Sequence, residues 1–280
     1  MTQSPHTPNV TQGVTPVDHA LDPFDLPSLK NEVSEVEWQI RCELAATYRL
    51  VAMHGWDDLV FTHISARLPD EKGEHRFLIN PYGVYFEEMT ASSLLKIDTE
   101  GNKVADSPYS ANPAGFTIHS AVHMAREDAG CVLHLHSPHG VAVSAQKQGL
   151  RRYTQFAMYI HDDTAYHQYE GIALNLEERE RLIADLGQKS CLILRNHGTL
   201  TAGQNCAIAF TRMYFLERAC EAQILAQAVG KESELIDAGP EMSALVAQQV
   251  APGLIPGLGD KLIWPGLLRR LARVYPGWDV

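Results

Sequence analysis

The chain has 280 residues, of which 45% are hydrophobic and 20% are charged, and this supplies enough apolar sequence for a sizeable core of one or two domains. The formal net charge is −11 and no basic run exceeds two residues, which argues against binding to nucleic acid or to an anionic membrane surface. The five cysteines form no CxxC pair, and neither a signal peptide nor an apolar run of roughly 18 residues is recognisable, so we expect a reduced, cytoplasmic protein.

The first part of the chain contains a tail, a helix and several short strands. Residues 1–28 are rich in Pro, Thr, Ser, Gln and Asp, a composition typical of a disordered or loosely attached segment. The stretch from Ser34 to Glu37 is a capping box, and apolar residues then recur at a spacing of four until Gly55, which predicts one helix. Short apolar runs bounded by turn residues predict strands at residues 59–62, 65–68, 77–80 and 94–97.

Helices and strands alternate irregularly in the second part, and we interpret residues 29–232 as one α/β domain. Residues 233–280 contain Pro252, Pro256, Pro265 and several glycines, and are predicted to be an irregular C-terminal extension packed on the domain or at a subunit interface. The hydrophobic patterns predict helices at residues 113–126, 140–147, 176–186 and 206–229, and strands at residues 132–136 and 191–195.

Three histidines fall within CVLHLHSPHG, residues 131–140. Side chains alternate along a strand, so His134 and His136 point to the same face, with a reach that suits one metal ion. His197 follows another apolar strand, in a turn marked by Asn196 and Gly198. A buried histidine is more often a hydrogen-bonded core residue than a ligand, and this interpretation stays open for an HxH pair alone. The second histidine at a strand end favours a shared metal site.

Five stretches of the chain carry a family resemblance. In this order and spacing they resemble the class II aldolase/adducin superfamily over about residues 34–230, nearest to its adducin-like bacterial branch. The superfamily includes fuculose- and rhamnulose-phosphate aldolases, ribulose-phosphate 4-epimerase and the non-enzymatic head domain of adducin. The stretches are LVFTHISARLP, FLINPYG, NPAGFTIHSAVHMAREDAGCVLHLHSPHGVAVSA, AYHQYEGI and CLILRNHGTLTAG.

The resemblance implies a three-layer α/β/α fold with a central, mainly antiparallel sheet. It also implies one divalent metal ion per subunit, held by His134, His136 and His197, with zinc as the first choice and iron, manganese or cobalt as alternatives. Many members of the superfamily are tetramers with active sites between subunits. We therefore expect a homo-oligomer, a tetramer, that acts on a small molecule and has neither nucleic acid nor membrane as a partner.

Three neutral imidazoles leave the double positive charge of an ion undiminished and leave coordination positions open for substrate oxygens. Such an ion can stabilise an enolate that forms as a C–C bond breaks. The resemblance therefore predicts a metal-dependent lyase that acts by retro-aldol cleavage or by decarboxylation.

The chain departs from the sugar-phosphate aldolases of the superfamily at several substrate positions. Those enzymes carry Ser-Ser-Glu, with Glu as the acid/base, four residues before a histidine that matches His119, and by this alignment Gly115 stands in place of the Glu. Their phosphate-binding Asn matches His63, and their Thr-Gly pair matches Tyr82 and Gly83. Most phosphate donors are thus missing. We expect a small, non-phosphorylated hydroxy- or keto-acid, bound near His63, Tyr82, Gly83 and Gly115.

A retro-aldol reaction needs a base for the substrate hydroxyl group. Residues 159–169 match a part of the family that reaches the metal of a neighbouring subunit, and within them Tyr159 is the candidate catalytic residue. An ordinary interface tyrosine explains the same residue equally well. Decarboxylation needs no base to begin.

Two further functions stay open at this stage. Some superfamily members that resemble this pattern are non-haem iron dioxygenases, and a site of three histidines with open positions suits Fe(II). A non-catalytic, adducin-like binding module is the other alternative, because adducin resembles the chain closely around AGFTIHSAVHMAR and LRNHG.

Overall fold

The computed structural model describes residues 21–70, 73–171, 177–250 and 253–280, so most of the predicted N-terminal tail lies outside the described residues. Within these ranges there are seven strands: β1 (His63–Arg67), β2 (Phe77–Ile79), β3 (Leu95–Ile97), β4 (Cys131–Leu135), β5 (Thr164–His167), β6 (Cys191–Leu194) and β7 (Gly198–Gly203). They form one sheet in the order β3-β2-β1-β4-β7-β6-β5. All neighbouring strands are antiparallel except β5 and β6, which are parallel. The predicted α/β fold with a mainly antiparallel sheet is confirmed.

Helices cover both faces of the sheet, because strand side chains alternate between two apolar layers. Leu133 of β4 packs in the cluster of the helices at residues 35–53 and 206–229, whereas its neighbour Val132 packs in the cluster of the helices at residues 113–125 and 178–186. None of the helices described is both long and apolar enough to cross a bilayer. The helices are α1 (Glu35–Met53), α2 (Pro113–Ala125), α3 (Pro138–Ser144), α4 (Gln155–Ile160), α5 (Glu178–Leu186), α6 (Cys206–Val229), α7 (Gly239–Val250), α8 (Leu254–Leu258) and α9 (Trp264–Val274).

Helix α1 begins and ends where the sequence predicts. The side chain of Ser34 accepts a hydrogen bond from the backbone N–H of Glu37, which satisfies one of the free donors of the first turn. The helix ends at Met53, and Gly55 then adopts a φ of 67°, in the left-handed region that favours glycine. The capping pattern and the apolar spacing were therefore sufficient to locate this helix.

The predicted strand at residues 59–62 is wrong. Leu59 and Thr62 have φ values of 52° and 67°, so the backbone reverses tightly, and an isolated bridge joins Asp58 to Phe61. Leu59 and Phe61 are exposed, so the apolar residues of this run are not packed against a sheet. Within the described part of residues 29–232, one α-helix and two strands were not predicted: α4, β5 and β7. α4 and β5 are short, and β7 begins and ends with glycine, a residue that is typical of turns.

The C-terminal region is helical rather than irregular. Trp264 and Leu271 of α9 are buried in the same core cluster as α1 and the first strands. Pro265 stands in the first turn of α9, which follows directly on a π-helical turn at Gly259–Ile263. Pro256 and Pro265 therefore lie within helices, while Pro252 lies outside the described residues. The domain boundary at residue 232 stays a prediction.

Candidate metal centre

Neighbouring strands bring three histidines together. His134 lies in β4 and His136 follows directly after it, while the turn between β6 and β7 carries His197. Because β7 pairs with β4, this turn lies beside the end of β4. One ring nitrogen of each histidine lies within 4.8 Å of one from each of the others, and the ring centroids are 4.7 to 5.0 Å apart. Three imidazoles at this spacing can reach one metal ion.

A glycine allows the two strand ends to approach each other closely. A Cβ atom on Gly198 would overlap the carbonyl oxygen of Leu135 and would lie 3.2 Å from Cδ2 of His136. The preceding Asn196 has a φ of 56°, a left-handed conformation that asparagine tolerates better than most residues. The sequence Asn-His-Gly therefore forms a turn tight enough to hold His197 against His136.

Hydrogen bonds orient two of the three rings. Nδ1 of His134 donates to the carbonyl oxygen of Thr199 at 3.1 Å, and Nδ1 of His136 donates to the carboxylate of Asp58 at 2.9 Å. Each bond leaves Nε2 with a free lone pair, the arrangement that histidine ligands adopt in metal sites. Nε2 of His136 is buried and has no hydrogen-bond partner among the described residues. A metal ion would provide the partner that this nitrogen lacks.

The local electrostatics keep the rings of His134 and His197 neutral. Burial lowers the pKa of His134 well below its usual range, and the neighbouring His197, His63 and His136 lower it further. Burial, followed by His136 and His167, lowers the pKa of His197 to about 4. Neutral imidazole is the form that binds metal. In the described part of the chain, the group that could share an ion contains no carboxylate.

The sequence profile described as "Class II Aldolase and Adducin N-terminal domain" matches residues 42–224, which include all three histidines. The chain belongs to this family. A relative from Caulobacter vibrioides, named "Putative aldolase class 2 protein", is 58% identical over 252 residues, which cover 90% of this chain and 96% of that protein. Alpha-adducin of Mus musculus is 43% identical over 227 residues, which cover 79% of this chain but 30% of that protein.

A solved enzyme structure of the class II aldolase and adducin family has the same fold. The L-fuculose 1-phosphate aldolase from Glaciozyma antarctica PI12 aligns with a TM-score of 0.74 and 28% sequence identity, covering 90% of this chain and 97% of that chain. The seven-stranded, mostly antiparallel sheet with flanking helices is therefore the family architecture.

The structure places the predicted substrate residue His63 beside the histidine cluster. His63 lies opposite His134 on adjacent antiparallel strands, with ring centroids 5.3 Å apart. Its Nδ1 lies 2.8 Å from Nε2 of His119 on α2. Gly115, another predicted substrate residue, lies in α2 one turn before His119. Of these two residues, His63 therefore lies beside the three histidines.

The other two predicted substrate residues, Tyr82 and Gly83, follow β2 at the end of the sheet where β1 begins with His63. The backbone N–H of Tyr82 donates to the carbonyl oxygen of Ser110, and Gly83 has a φ of 97°. Within the described ranges, neither residue forms a hydrogen bond or a ring contact with the three histidines. Their role in substrate binding stays a prediction.

Tyr159 is not part of the histidine cluster of its own chain. It lies on α4, where its hydroxyl accepts a hydrogen bond from Gln155 and its ring lies 5.3 Å from that of Phe215. Tyr169, by contrast, has its ring centroid 6.4 Å from that of His197 and is 54% exposed. A catalytic role for Tyr159 requires a neighbouring subunit and stays a prediction.

Sequence reasoning missed Asp58, the partner of His136. The need for a partner follows from the general chemistry of histidine ligands. The identity of that partner does not, because the chain has 34 acidic residues and Asp58 lies 78 positions away from His136.

Proposed function

We propose that this protein is a metal-dependent lyase that cleaves a C–C bond in a small, non-phosphorylated hydroxy- or keto-acid, by retro-aldol reaction or by decarboxylation. The observation that carries the proposal is the convergence of three histidines within 4.8 Å, with no carboxylate in that group among the residues described. We propose zinc first, because catalytic zinc sites use three protein ligands and keep a position open for water or substrate.

The residues around the cluster support this use of the site. Thr199 and Asp58 hold His134 and His136 through Nδ1, so that Nε2 of each is available to an ion. A bound divalent ion would supply positive charge where negative charge develops on a substrate oxygen. His197 is the third ligand of the set. It lies in the turn between β6 and β7, and Gly198 allows this turn to lie close to the end of β4.

The substrate class follows from what the chain lacks. Gly115 has no carboxylate to offer at the position where sugar-phosphate aldolases of the family carry their acid/base Glu, and His63 replaces a phosphate-binding Asn. The related L-fuculose 1-phosphate aldolase shows that the fold accommodates phosphorylated sugars. General acid–base assistance contributes roughly 100- to 10,000-fold to rate. An acid that loses carbon dioxide needs no such group to begin, and it suits this chain better.

A non-catalytic binding module is the second candidate. The 43% identity to alpha-adducin favours it, because that identity is higher than the 28% identity to the solved L-fuculose 1-phosphate aldolase. In this case the histidines would hold an ion, or one another, for structural reasons. A measurement of catalytic turnover distinguishes the lyase from the binding module.

We also propose that the protein is a homo-tetramer in which residues 159–169 approach the histidine cluster of a neighbouring subunit. The exposure of aromatic side chains in and beside this segment supports it: Phe156 is 37% and Tyr169 is 54% exposed. Exposed aromatic residues are enriched at protein interfaces.

The test is a substrate screen with the metal-loaded full chain, run with and without oxygen. We expect oxygen-independent release of an aldehyde, a ketone or carbon dioxide from a small hydroxy- or keto-acid. This activity should be lost in His134→Ala and kept in His139→Ala, a histidine of the same segment outside the ligand group. Rapid cleavage of fuculose or rhamnulose 1-phosphate would contradict the substrate class. Oxygen consumption would indicate an oxygenase, and absence of any turnover with bound metal would favour the binding module.

A further inference from the structure

A chain of hydrogen-bonded side chains leads from His63 into the protein interior. Nδ1 of His63 lies 2.8 Å from Nε2 of His119, whose Nδ1 lies 2.6 Å from Oγ of Ser65. The same Oγ lies 2.7 Å from Nε2 of His123, whose Nδ1 lies 2.7 Å from the carbonyl oxygen of Ala129. The four side chains are at most 5% exposed. We call His63, His119, Ser65 and His123 the histidine–serine chain.

The far end of the histidine–serine chain sets the direction of every hydrogen bond in it. A carbonyl oxygen only accepts, so Nδ1 of His123 carries the proton. Burial lowers the pKa of His123 to about 3, so its Nε2 has no proton and accepts from the hydroxyl of Ser65. The Ser65 oxygen, having donated, accepts from Nδ1 of His119. Nε2 of His119 is then an acceptor, and Nδ1 of His63 must donate to it.

This sequence of donors leaves His63 in a single tautomer. Nδ1 carries the proton, and Nε2 presents a lone pair. In the part of the chain that the structure describes, Nε2 of His63 has no hydrogen-bond partner. A neutral histidine without such a chain could place its proton on either nitrogen. Ser65, His119 and His123 therefore act on His63 as positioning residues.

The free nitrogen of His63 lies next to the candidate metal centre. His63 is directly opposite His134 on the neighbouring strand, with the ring centroids 5.3 Å apart. It does not belong to the three residues whose nitrogens could share one ion. Its lone pair is thus placed to contact a molecule bound at the centre rather than the ion itself.

We propose that the histidine–serine chain fixes His63 as a hydrogen-bond acceptor, and that Nε2 of His63 recognises a hydroxyl group on the molecule bound at the metal centre. This inference rests on the proposed metal-dependent function and narrows its substrate class. A hydroxyl group can donate to the lone pair, whereas an ether, carboxylate or phosphate oxygen has no proton to donate and would face it unpaired. The site should therefore select a hydroxy-acid over the corresponding ether or fully ionised diacid.

The first part of the test needs no metal. Nitrogen-15 NMR of the full-length protein, labelled on histidine, distinguishes the two neutral tautomers, and comparison of spectra from His63→Asn and His119→Asn assigns the signals. We expect the Nδ1–H form at both His63 and His119 in the wild type. We expect a mixture of forms at His63 in Ser65→Ala, because this variant lacks the hydroxyl group that links His119 to His123 in the histidine–serine chain. An Nε2–H form at His63 in the wild type would overturn the inference.

The second part compares two ligands on the Co(II)-loaded protein. Glycolate and methoxyacetate both carry a carboxylate and a second oxygen, but only glycolate has a hydroxyl proton. Their dissociation constants are measured from the visible spectrum of the bound Co(II). The wild type should bind glycolate at least about tenfold more tightly than methoxyacetate, the usual scale of one hydrogen bond.

Three variants test whether the histidine–serine chain causes the preference for glycolate. In His63→Asn the amide nitrogen can still donate to His119, but no atom replaces Nε2, so the ratio of the two dissociation constants should fall to near one. Ser65→Ala should reduce the ratio, and Ser93→Ala, a buried serine bonded to Thr90, should leave it unchanged. An unchanged ratio in His63→Asn would overturn the inference. Failure of the wild type to bind Co(II) would refute both the proposed function and the recognition of a hydroxyl group by His63. The NMR result tests the fixed tautomer of His63 independently of metal binding.

Discussion

Asp58 accepts a hydrogen bond from Nδ1 of His136 at 2.9 Å, and this contact joins the tight reversal before β1 to the end of β4. The carboxylate orients the ring and holds the proton on Nδ1. This leaves a lone pair on the opposite nitrogen, Nε2, which is buried and has no partner in the described part of the molecule. The contact also gives the tight reversal a role. The left-handed φ values of Leu59 and Thr62 fold the segment that carries Asp58 toward the histidine cluster.

Replacing Asp58 by Asn should weaken metal binding. The amide oxygen still accepts a hydrogen bond from His136, but the negative charge that supports the ligand is lost. Loss of such a partner raises the metal dissociation constant by roughly 10- to 100-fold. Competition with a chromophoric chelator measures the constant. Asp57→Asn removes the adjacent carboxylate, which has no hydrogen bond to His136, and should have no such effect. Equal affinity in the wild type and Asp58→Asn would contradict the orienting role.

Replacing Gly198 by Ala should destabilise the protein by about 2 kcal/mol or more, the range of substitutions that force a backbone clash. The added Cβ would overlap the carbonyl oxygen of Leu135 and press against His136, so the turn that holds His197 must move. Urea unfolding of the metal-free protein gives the change in free energy. Gly257→Ala, where nothing lies within 4 Å of the added atom, is the matched control. A Gly198→Ala variant as stable as this control would show that the turn has room.

The stability of the metal-free protein should fall as the pH is lowered from about 6.5. Burial lowers the pKa of His123 from its ordinary value of 6.5 to about 3. Between these values the unfolded chain binds a proton at this residue and the folded chain does not, so the free energy of unfolding decreases with falling pH. One such histidine contributes up to about 1.4 kcal/mol per pH unit. His123→Gln should show a shallower pH dependence in urea unfolding between pH values of about 6.5 and 4.5. An identical slope would contradict the buried, neutral state of His123.

The oligomer and the role of Tyr159 can be examined together. Light scattering at micromolar concentration should give four times the mass of the chain. Tyr159→Phe should preserve the tetramer and, for a retro-aldol reaction, lower turnover by about 100-fold or more, because the proton-transferring hydroxyl is lost. Tyr153→Phe, which removes a nearby hydroxyl that has no partner among the described residues, is the control. A monomer, or full activity in Tyr159→Phe, would contradict the proposal that a neighbouring subunit completes the site.

The elements that could be predicted from sequence are those whose local signals agree with their packing. Helix α1 has a serine cap at Ser34 and apolar residues at helical spacing, and α6 was predicted at its observed ends, 206–229. The run at residues 59–62 has the apolar content of a strand, but positive φ values at Leu59 and Thr62 prevent it from pairing. In α9 the apolar residues that reach the core are separated by residues that suggest turns. The structure of residues 59–62 and of α9 depends on strand pairing and core packing, and the partners are distant in sequence.

The residues of the candidate site also fall into two groups: those that local sequence predicts and those that depend on the fold. His134 and His136 share a face because of strand geometry alone, and the turn sequence marked His197, so the three residues could be proposed before the fold was known. Asp58 could not, because its contact depends on the reversal before β1. The sequence does not single out His123, because its position in the histidine–serine chain depends on the packing of α2 over β1.

Metal content decides whether the three histidines form a metal site at all. The protein is purified without chelator, and bound metal is measured by elemental analysis in the wild type, in a variant with His134, His136 and His197 all replaced by Ala, and in His139→Ala. We predict one divalent ion per chain, zinc first, in the wild type and in His139→Ala, and little or none in the triple variant. Undiminished metal in the triple variant would contradict the assignment of these histidines as ligands.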